Sequence, residues 1–221
     1  MSELKLVIGN KNYSSWSLRP WLAMKVAGIA FTEERIALYG PASKEKILAF
    51  SPAGKVPCLM DGGVRVWDSL AICEYLAEKN PGLWPQESAA RAVARSISAE
   101  MHSGFQNLRT HMSMNIRKRF PNNGASKGRT PEVLTEIERI AGMWSDCCAR
   151  NRGQGPFLFG HFSIADAMYA PVVLRFRTYE VELPPACRAY ADTILALPAL
   201  KDWIAAAVTE TESLPQFELY G

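Results

Sequence analysis

Lys55–Leu76, KVPCLMDGGVRVWDSLAICEYL, is the stretch on which the fold turns. Pro57–Met60 and Val64–Trp67 are short, mostly apolar runs, and Asp61-Gly62-Gly63 between them supplies the glycines of a hairpin turn. Asp68-Ser69 follows with side-chain oxygens suited to the open amides of a helix start, and Ser69 is expected to cap a helix reaching about Glu78. The stretch therefore reads strand, strand, helix. Upstream, Leu4–Gly9 is a short buried strand, and Trp21, Leu22, Val26 and Ala27 keep helical spacing as far as Gly28, a helix stop. Glu33–Leu38 makes a second strand. Ser43–Phe50 is a short helix ended by Ser51-Pro52, because the residue before a proline is driven out of the helical region.

The order βαβ then ββα is that of a thioredoxin-like layer, in which helices cover a four-stranded mixed sheet. Asn80-Pro81-Gly82-Leu83-Trp84-Pro85 is a proline-bracketed connector, and everything beyond it reads as helix. Ile97, Met101, Phe105, Leu108 and Met112 step by three or four residues, so one long helix with an apolar face is expected from about Ser88 to Arg119, ended by Pro121. Further helices are expected over Pro131–Arg150, Ser163–Tyr179, Pro184–Leu195 and Pro198–Val208. The fold class is α/β plus all-α: a thioredoxin-like domain over 1–80, a linker over 81–89 and an all-helical domain over 90–221.

With 221 residues and 48% hydrophobic content the chain can bury a large core. Its 25 Lys and Arg against 22 Asp and Glu leave +3, too balanced to point to a nucleic-acid or membrane surface. A charged fraction of 21%, with 15 glycines and 14 prolines, excludes a disordered or fibrous chain. No signal peptide or membrane span is expected, since Lys5 interrupts the apolar start and the run Ala167–Leu174 stops at Arg175. The five cysteines form no Cys-x-x-Cys pair and Cys147-Cys148 are too close for an ordinary bridge, so reduced thiols in a cytoplasmic setting are expected, with Cys58 and Cys73 buried. His102, His111 and His161 do not suggest a metal site. Gly124–Arg129, GASKGR, lacks the ending of a phosphate loop and reads as a turn.

Three loops carry the chemistry. Pro20 is tolerated near a helix start, which places Ser14, Ser15 and Ser17 at a helix N-terminus. Open amides and the positive end of the helix dipole favour an anion there, and the hydroxyls either bind it or simply cap the helix. Val56-Pro57 opens a strand after a Gly-Lys turn. A cis proline at that place sets the backbone of Val56 against an extended peptide ligand, while a structural edge proline would look the same in sequence. Asp68-Ser69 either holds an ammonium and a carboxylate or is a plain helix cap.

Together these residues resemble a glutathione transferase. The Ser-Ser-x-Ser-x-Arg run over Ser14–Arg19, Lys55-Val56-Pro57, Asp68-Ser69-Leu70-Ala71-Ile72 ahead of Glu74-Tyr75-Leu76, and Ser163-Ile164-Ala165-Asp166 occur in that family's order and spacing over almost the whole chain. Among its classes the chain is most similar to the serine type, zeta and bacterial, including the segment EMHSGFQ at Glu100–Gln106. The resemblance implies that Ser14 hydrogen-bonds the glutathione sulfur with Ser15 beside it, that Val56 and Pro57 meet the cysteinyl unit, and that Asp68 and Ser69 hold the γ-glutamyl end. Gln106 matches a zeta glutamine near the same site, and Lys44 is the candidate for the glycine carboxylate, since the glutamine expected nearby aligns with Ala42. Trp16 stands where zeta enzymes have a cysteine. Their acid-binding arginine aligns with Thr178, with Arg175 and Arg177 within a turn of it.

The implied activity is conjugation of the glutathione thiolate to small apolar electrophiles by a cytoplasmic homodimer, with Arg91 and Arg95 either facing a two-fold partner or solvated. No nucleic-acid, membrane or metal partner is implied. A zeta-like cis–trans isomerase of an unsaturated diacid and a non-catalytic binding module are the alternatives. Tyr13 is a rival donor to the sulfur, Ser163–Asp166 is expected to be a capping box, and Arg117-Lys118-Arg119 a solvated helix end.

Overall fold

A computed structural model describes residues 3–120 and 127–220. The first half is β1 (Leu4–Ile8), α1 (Ser15–Val26), β2 (Thr32–Arg35), α2 (Ser43–Phe50), β3 (Cys58–Asp61), β4 (Val64–Trp67) and α3 (Ser69–Lys79). The sheet order is β2-β1-β3-β4, with β1 parallel to β2 and antiparallel to β3, and β3 and β4 forming the hairpin. Side chains alternate across a strand, and β1 uses this to face two cores. Leu6 and Ile8 join Leu18, Leu22, Ile72 and Leu76 from α1 and α3, whereas Val7 joins Ile36, Ile47 and Cys58. This is a thioredoxin-like layer. β2 ends at Arg35, short of the expected Leu38, and the Leu38 amide instead donates to the Asn10 side chain, 2.8 Å away.

The second half is helical: α4 (Ser88–Ser103), α5 (Gln106–His111), α6 (Pro131–Arg150), α7 (Ile164–Thr178), α8 (Pro185–Ala196) and α9 (Pro198–Thr209), with 3-10 turns at Pro81–Leu83 and Pro215–Phe217. The single long helix expected from Ser88 to Arg119 is instead α4, a break and α5. Phe105 takes a left-handed φ of 58°, and Gly104 is packed so that a Cβ there would lie 2.8 Å from the Glu100 carbonyl. The Glu136 carboxylate caps the new start through the amides of Asn107 and Leu108, at 3.2 and 2.7 Å. After α5 the chain docks on the loop following β1. The Asn12 side chain bonds the Asn115 side chain and the Arg117 amide, both at 2.9 Å, which gives the non-helical backbone its partners. Pro121, and the first three residues of the GASKGR turn, lie outside the described residues.

α7 is buried along nearly its whole length and packs on α1, α4 and α8. Its start is the expected capping box: Asp166 accepts from the Ser163 amide at 2.8 Å, and also from the Leu158 amide at 3.2 Å. Among the described residues no helix is long and apolar enough to cross a membrane.

Candidate functional site

A cavity of about 940 Å³ opens between the sheet and the helical half, and the loops singled out in the sequence meet in it. Its walls include Ser14, Ser15, Lys44, Val56, Pro57, Asp68 and Ser69. Gln106 is not among them. It lies exposed at the start of α5, and the break at Gly104-Phe105 turns Arg109 into the cavity instead.

Ser14 and Ser15 open α1. The Ser17 hydroxyl accepts from the Gly9 amide at 3.1 Å and from the Ser14 hydroxyl at 2.7 Å, while the Ser15 hydroxyl accepts from Arg175 at 3.3 Å. Pro20 sits inside α1 rather than in its first turn. Its missing amide deprives the Trp16 carbonyl of a helical partner, and the serine bonds hold the turn from outside. The Val56–Pro57 bond is cis. Asp68, not Ser69, is the helix cap: at φ 75° its carboxylate accepts from the Leu70 and Ala71 amides at 2.9 and 3.1 Å. A non-glycine residue held at such a φ costs on the order of 1–3 kcal/mol, and such residues cluster at functional sites. The other Asp68 oxygen meets His102 Nε2 at 3.1 Å, and the His102 ring lies edge-on to Trp16.

Three arginines surround these groups. Arg19, 1% exposed, reaches the Ser69 hydroxyl at 3.4 Å from beneath and leaves its Nε without a partner. Arg175, 6% exposed, donates to Ser15 and to the Met112 carbonyl. Arg109 donates to the carbonyls of Met101, His102 and Gly104 at the end of α4. Arg19 and Arg109 both stack on Trp16, at 4.3 and 4.7 Å from its ring centre. Among the described residues neither Arg19 nor Arg175 has an ion-pair partner. Burial, aided by the neighbouring guanidiniums, pushes both down to about 9, so both remain charged at neutral pH. The cavity is therefore a concentration of positive charge beside two serine hydroxyls, a setting for an anion.

The other candidates are placed elsewhere. Thr178 is buried and donates to the Asn115 carbonyl, Arg177 is exposed, and of this trio only Arg175 lines the cavity. Tyr13 lines it, but its hydroxyl donates to Glu218 at 2.5 Å and accepts from Arg117 at 2.8 Å. Arg117 is thus no solvated helix end; it also binds the carbonyls of Glu210 and Glu212. Arg91 turns back on the carbonyls of Pro85 and Gln86, and Arg95 pairs with Glu74 at 3.5 Å. Cys58 and Cys73 are buried, and burial pushes the Cys73 thiol up to about 12.

The sequence reading has Arg19 only as the end of the Ser-Ser-x-Ser-x-Arg run, not as the guanidinium behind Ser69, and misses Arg109 as a cavity residue. Arg175 was legible as the one charge closing an uncharged run in a buried helix. Arg109 gave no signal, because its position depends on the helix break.

Residues 13–79 match the family model for the glutathione S-transferase N-terminal domain, and residues 127–206 match that for its C-terminal domain. A Caenorhabditis elegans protein named "Probable maleylacetoacetate isomerase" is 29% identical over 191 residues, covering 84% of this chain and 85% of its own. The Rattus norvegicus maleylacetoacetate isomerase is 28% identical over 177 residues, 77% of each chain. Among solved structures, a maleyl pyruvate isomerase of the bacterial zeta class superposes with a TM-score of 0.70 at 23% identity, covering 95% of this chain and 100% of that one. A Burkholderia glutathione transferase homolog with bound glutathione gives 0.70 at 20% identity, covering 93% and 98%. The two domain matches, in the order in which the sheet and the helical half follow each other, make this chain a member of the glutathione S-transferase family.

Proposed function

We propose that the cavity binds glutathione and directs its thiol onto a small unsaturated acid. The observation that carries this reading is Arg175, a buried cation with no ion-pair partner among the described residues, which bonds Ser15 and lines the same cavity as Arg109. A carboxylate on the second substrate would supply the missing countercharge. The relatives named maleylacetoacetate isomerase support an acidic substrate as well.

The residues present fit glutathione. Asp68 faces outward to meet its ammonium group, and Ser69, with the orphaned Arg19 guanidinium behind it, offers a place for the γ-glutamyl carboxylate. Val56 and Pro57 line the cavity for the cysteinyl unit, and Lys44, also in its wall, is assigned the glycine carboxylate. Glutathione supplies a thiol whose anion adds reversibly to an alkene conjugated with a carbonyl, the step common to conjugation and cis–trans isomerisation. The Ser15 hydroxyl holds the sulfur as its anion, with Ser14 beside it turned to Ser17. A free thiol is only a few per cent ionised at pH 7, and a hydrogen bond to a charged group is worth roughly 1.5–3 kcal/mol, or one to two pKa units. Arg175, donating to Ser15, leaves that hydroxyl's own hydrogen for the sulfur and adds positive charge beside it.

Conjugation of a neutral apolar electrophile is the second reading, favoured by Met114 and Phe217 in the cavity wall. A homodimer belongs to the proposal too, because Val64 and Trp67 expose apolar surface on the edge strand β4, and sedimentation at twice 24.5 kDa is the expected result. The deciding experiment is calorimetric titration with glutathione, followed by turnover of cis-configured unsaturated diacids against neutral electrophiles. Faster turnover of the diacids is expected. The absence of glutathione binding at millimolar concentration would sink the reading and favour a non-catalytic module.

A further inference from the structure

The Asp68 carboxylate is divided between two tasks. Its Oδ1 accepts from the Leu70 and Ala71 amides at the start of α3, which leaves Oδ2 to meet a ligand's ammonium group. That same Oδ2 lies 3.1 Å from Nε2 of His102, in the last turn of α4. The His102 side chain is 25% exposed and that of Asp68 44%, so the carboxylate stays open to a ligand while the ring beside it is largely covered.

The other ring nitrogen decides which proton the imidazole carries. Nδ1 is buried and has no hydrogen-bond partner among the described residues. A neutral ring with its hydrogen on Nε2 donates to Asp68 and leaves Nδ1 as a bare acceptor. A second proton would put a charged N–H at Nδ1 with no group to receive it. The surrounding charges act in the same direction. Arg19 from α1 and Arg109 from α5 face the ring and oppose a second proton, Asp68 favours one, and the Trp16 indole on which both arginines stack meets the ring edge-on at 5.2 Å. α7 also packs on α4, but its Arg175 is directed to Ser15 and the Met112 carbonyl.

We propose that His102 is a positioning residue for the γ-glutamyl end: as a neutral donor it orients the second Asp68 oxygen without taking its charge, and as a cation it occupies that oxygen in place of the ligand's ammonium group. This rests on the glutathione reading above. The ammonium group and the second proton exclude one another, because both would place positive charge on one carboxylate oxygen already flanked by two arginines. Ligand binding therefore releases the proton, and lowering the pH releases the ligand. Neither the thiol nor the acceptor takes part, so the competition acts on every γ-glutamyl ligand alike.

The test uses S-methylglutathione, which has no thiol to titrate. By calorimetry, its Kd for the wild type should rise about three- to tenfold from pH 7.5 to pH 5.5, as the fraction of protein with a neutral His102 falls. His102→Gln and His102→Asn keep an amide donor and take no proton, so each should hold that ratio under about twofold, with melting curves at both pH values reporting that the fold is intact. The wild type alone gives a second measurement. Titrations at pH 6 in buffers of different ionisation enthalpy should show release of a fraction of a proton for each ligand bound. A flat wild-type ratio, no proton release, or a wild-type ratio retained in either folded variant would overturn the role of His102. Failure of the wild type to bind S-methylglutathione at pH 7.5 would overturn the glutathione reading itself, a result distinct from binding that ignores pH.

Discussion

The guanidinium of Arg175 donates to the hydroxyl oxygen of Ser15 over 3.3 Å, joining residues 160 positions apart. Ser14, by contrast, spends its hydrogen on Ser17 at 2.7 Å. A hydroxyl that accepts from a cation still has its own hydrogen to give. Ser15→Ala should therefore raise the pKa of bound glutathione's thiol by about one to two units and lower neutral-pH turnover about ten- to hundredfold, with partial recovery in alkaline buffer. Ser14→Ala should shift it less. Ultraviolet titration of the thiolate measures both, and the reverse ranking would show that Ser14 faces the sulfur.

Arg175→Gln should raise KM for an unsaturated acid about ten- to hundredfold, the loss of one charge-assisted bond, and change KM for a neutral electrophile less than about threefold. Equal losses on both substrates would assign Arg175 to the sulfur instead of the acceptor. Arg177→Gln, at an exposed position, should change neither.

Burial holds His102 below the usual histidine range; Arg19 and Arg109 push the same way, and Asp68 opposes them. A histidine depressed in the folded state contributes stability that is present above its unfolded value, about 6.5, and is lost as the pH falls through the folded value. Urea midpoints should therefore drop between pH 7.5 and 5.5 by more in the wild type than in His102→Gln. Parallel drops would show that His102 titrates as it does in the unfolded chain.

Asp166 behaves in the opposite sense. Burial pushes it up to about 6, against the hydrogen bonds from Ser163 and Leu158. A carboxyl raised in the folded state contributes stability that is complete below its unfolded value, near 3.9, and is lost as the pH rises through about 6. Asp166→Asn should flatten that part of the stability profile. Asp166→Ala removes the cap and leaves two buried amides unpaired, a loss of about 1–3 kcal/mol that thermal denaturation would register at any pH.

What the sequence makes legible is local. The bounds of α2 and α6 follow from serine and proline starts and from apolar periodicity, and two of the cavity loops follow from Pro20 and Pro57, whose backbone limits act within a few residues, although Pro20 proves to lie inside α1 and α3 is capped by Asp68 rather than Ser69. The misread parts are long-range. Apolar spacing carries Ile97 through Met112 smoothly across Gly104-Phe105, because the period survives while the backbone turns, and the Glu136 carboxylate that caps the new helix lies 29 positions away. Arg117 reads as a solvated helix end, Arg19 only as the last residue of the Ser-Ser-x-Ser-x-Arg run, and Arg109 carries no reading at all. Their partners are carbonyls, a serine and a tryptophan brought up by other elements, and no spacing rule names a carbonyl.

The grip of Glu210 on Lys11 and Asn12 also sets an order of events in the cell. The amides just ahead of the two serines wait for an acceptor 199 and 198 positions later, and the Lys11 carbonyl waits for the Trp203 indole, 192 positions later. At roughly 5–20 residues per second, ribosomes deliver those partners on the order of ten seconds or more after the loop itself. During that interval the face of Trp21 that Trp203 covers in the finished fold lacks its partner, apolar surface of the kind that makes folding intermediates prone to aggregate. A nascent chain halted before residue 203 would carry both serines and Val56-Pro57, yet lack the Trp203 and Glu210 that hold the loop just ahead of the serines.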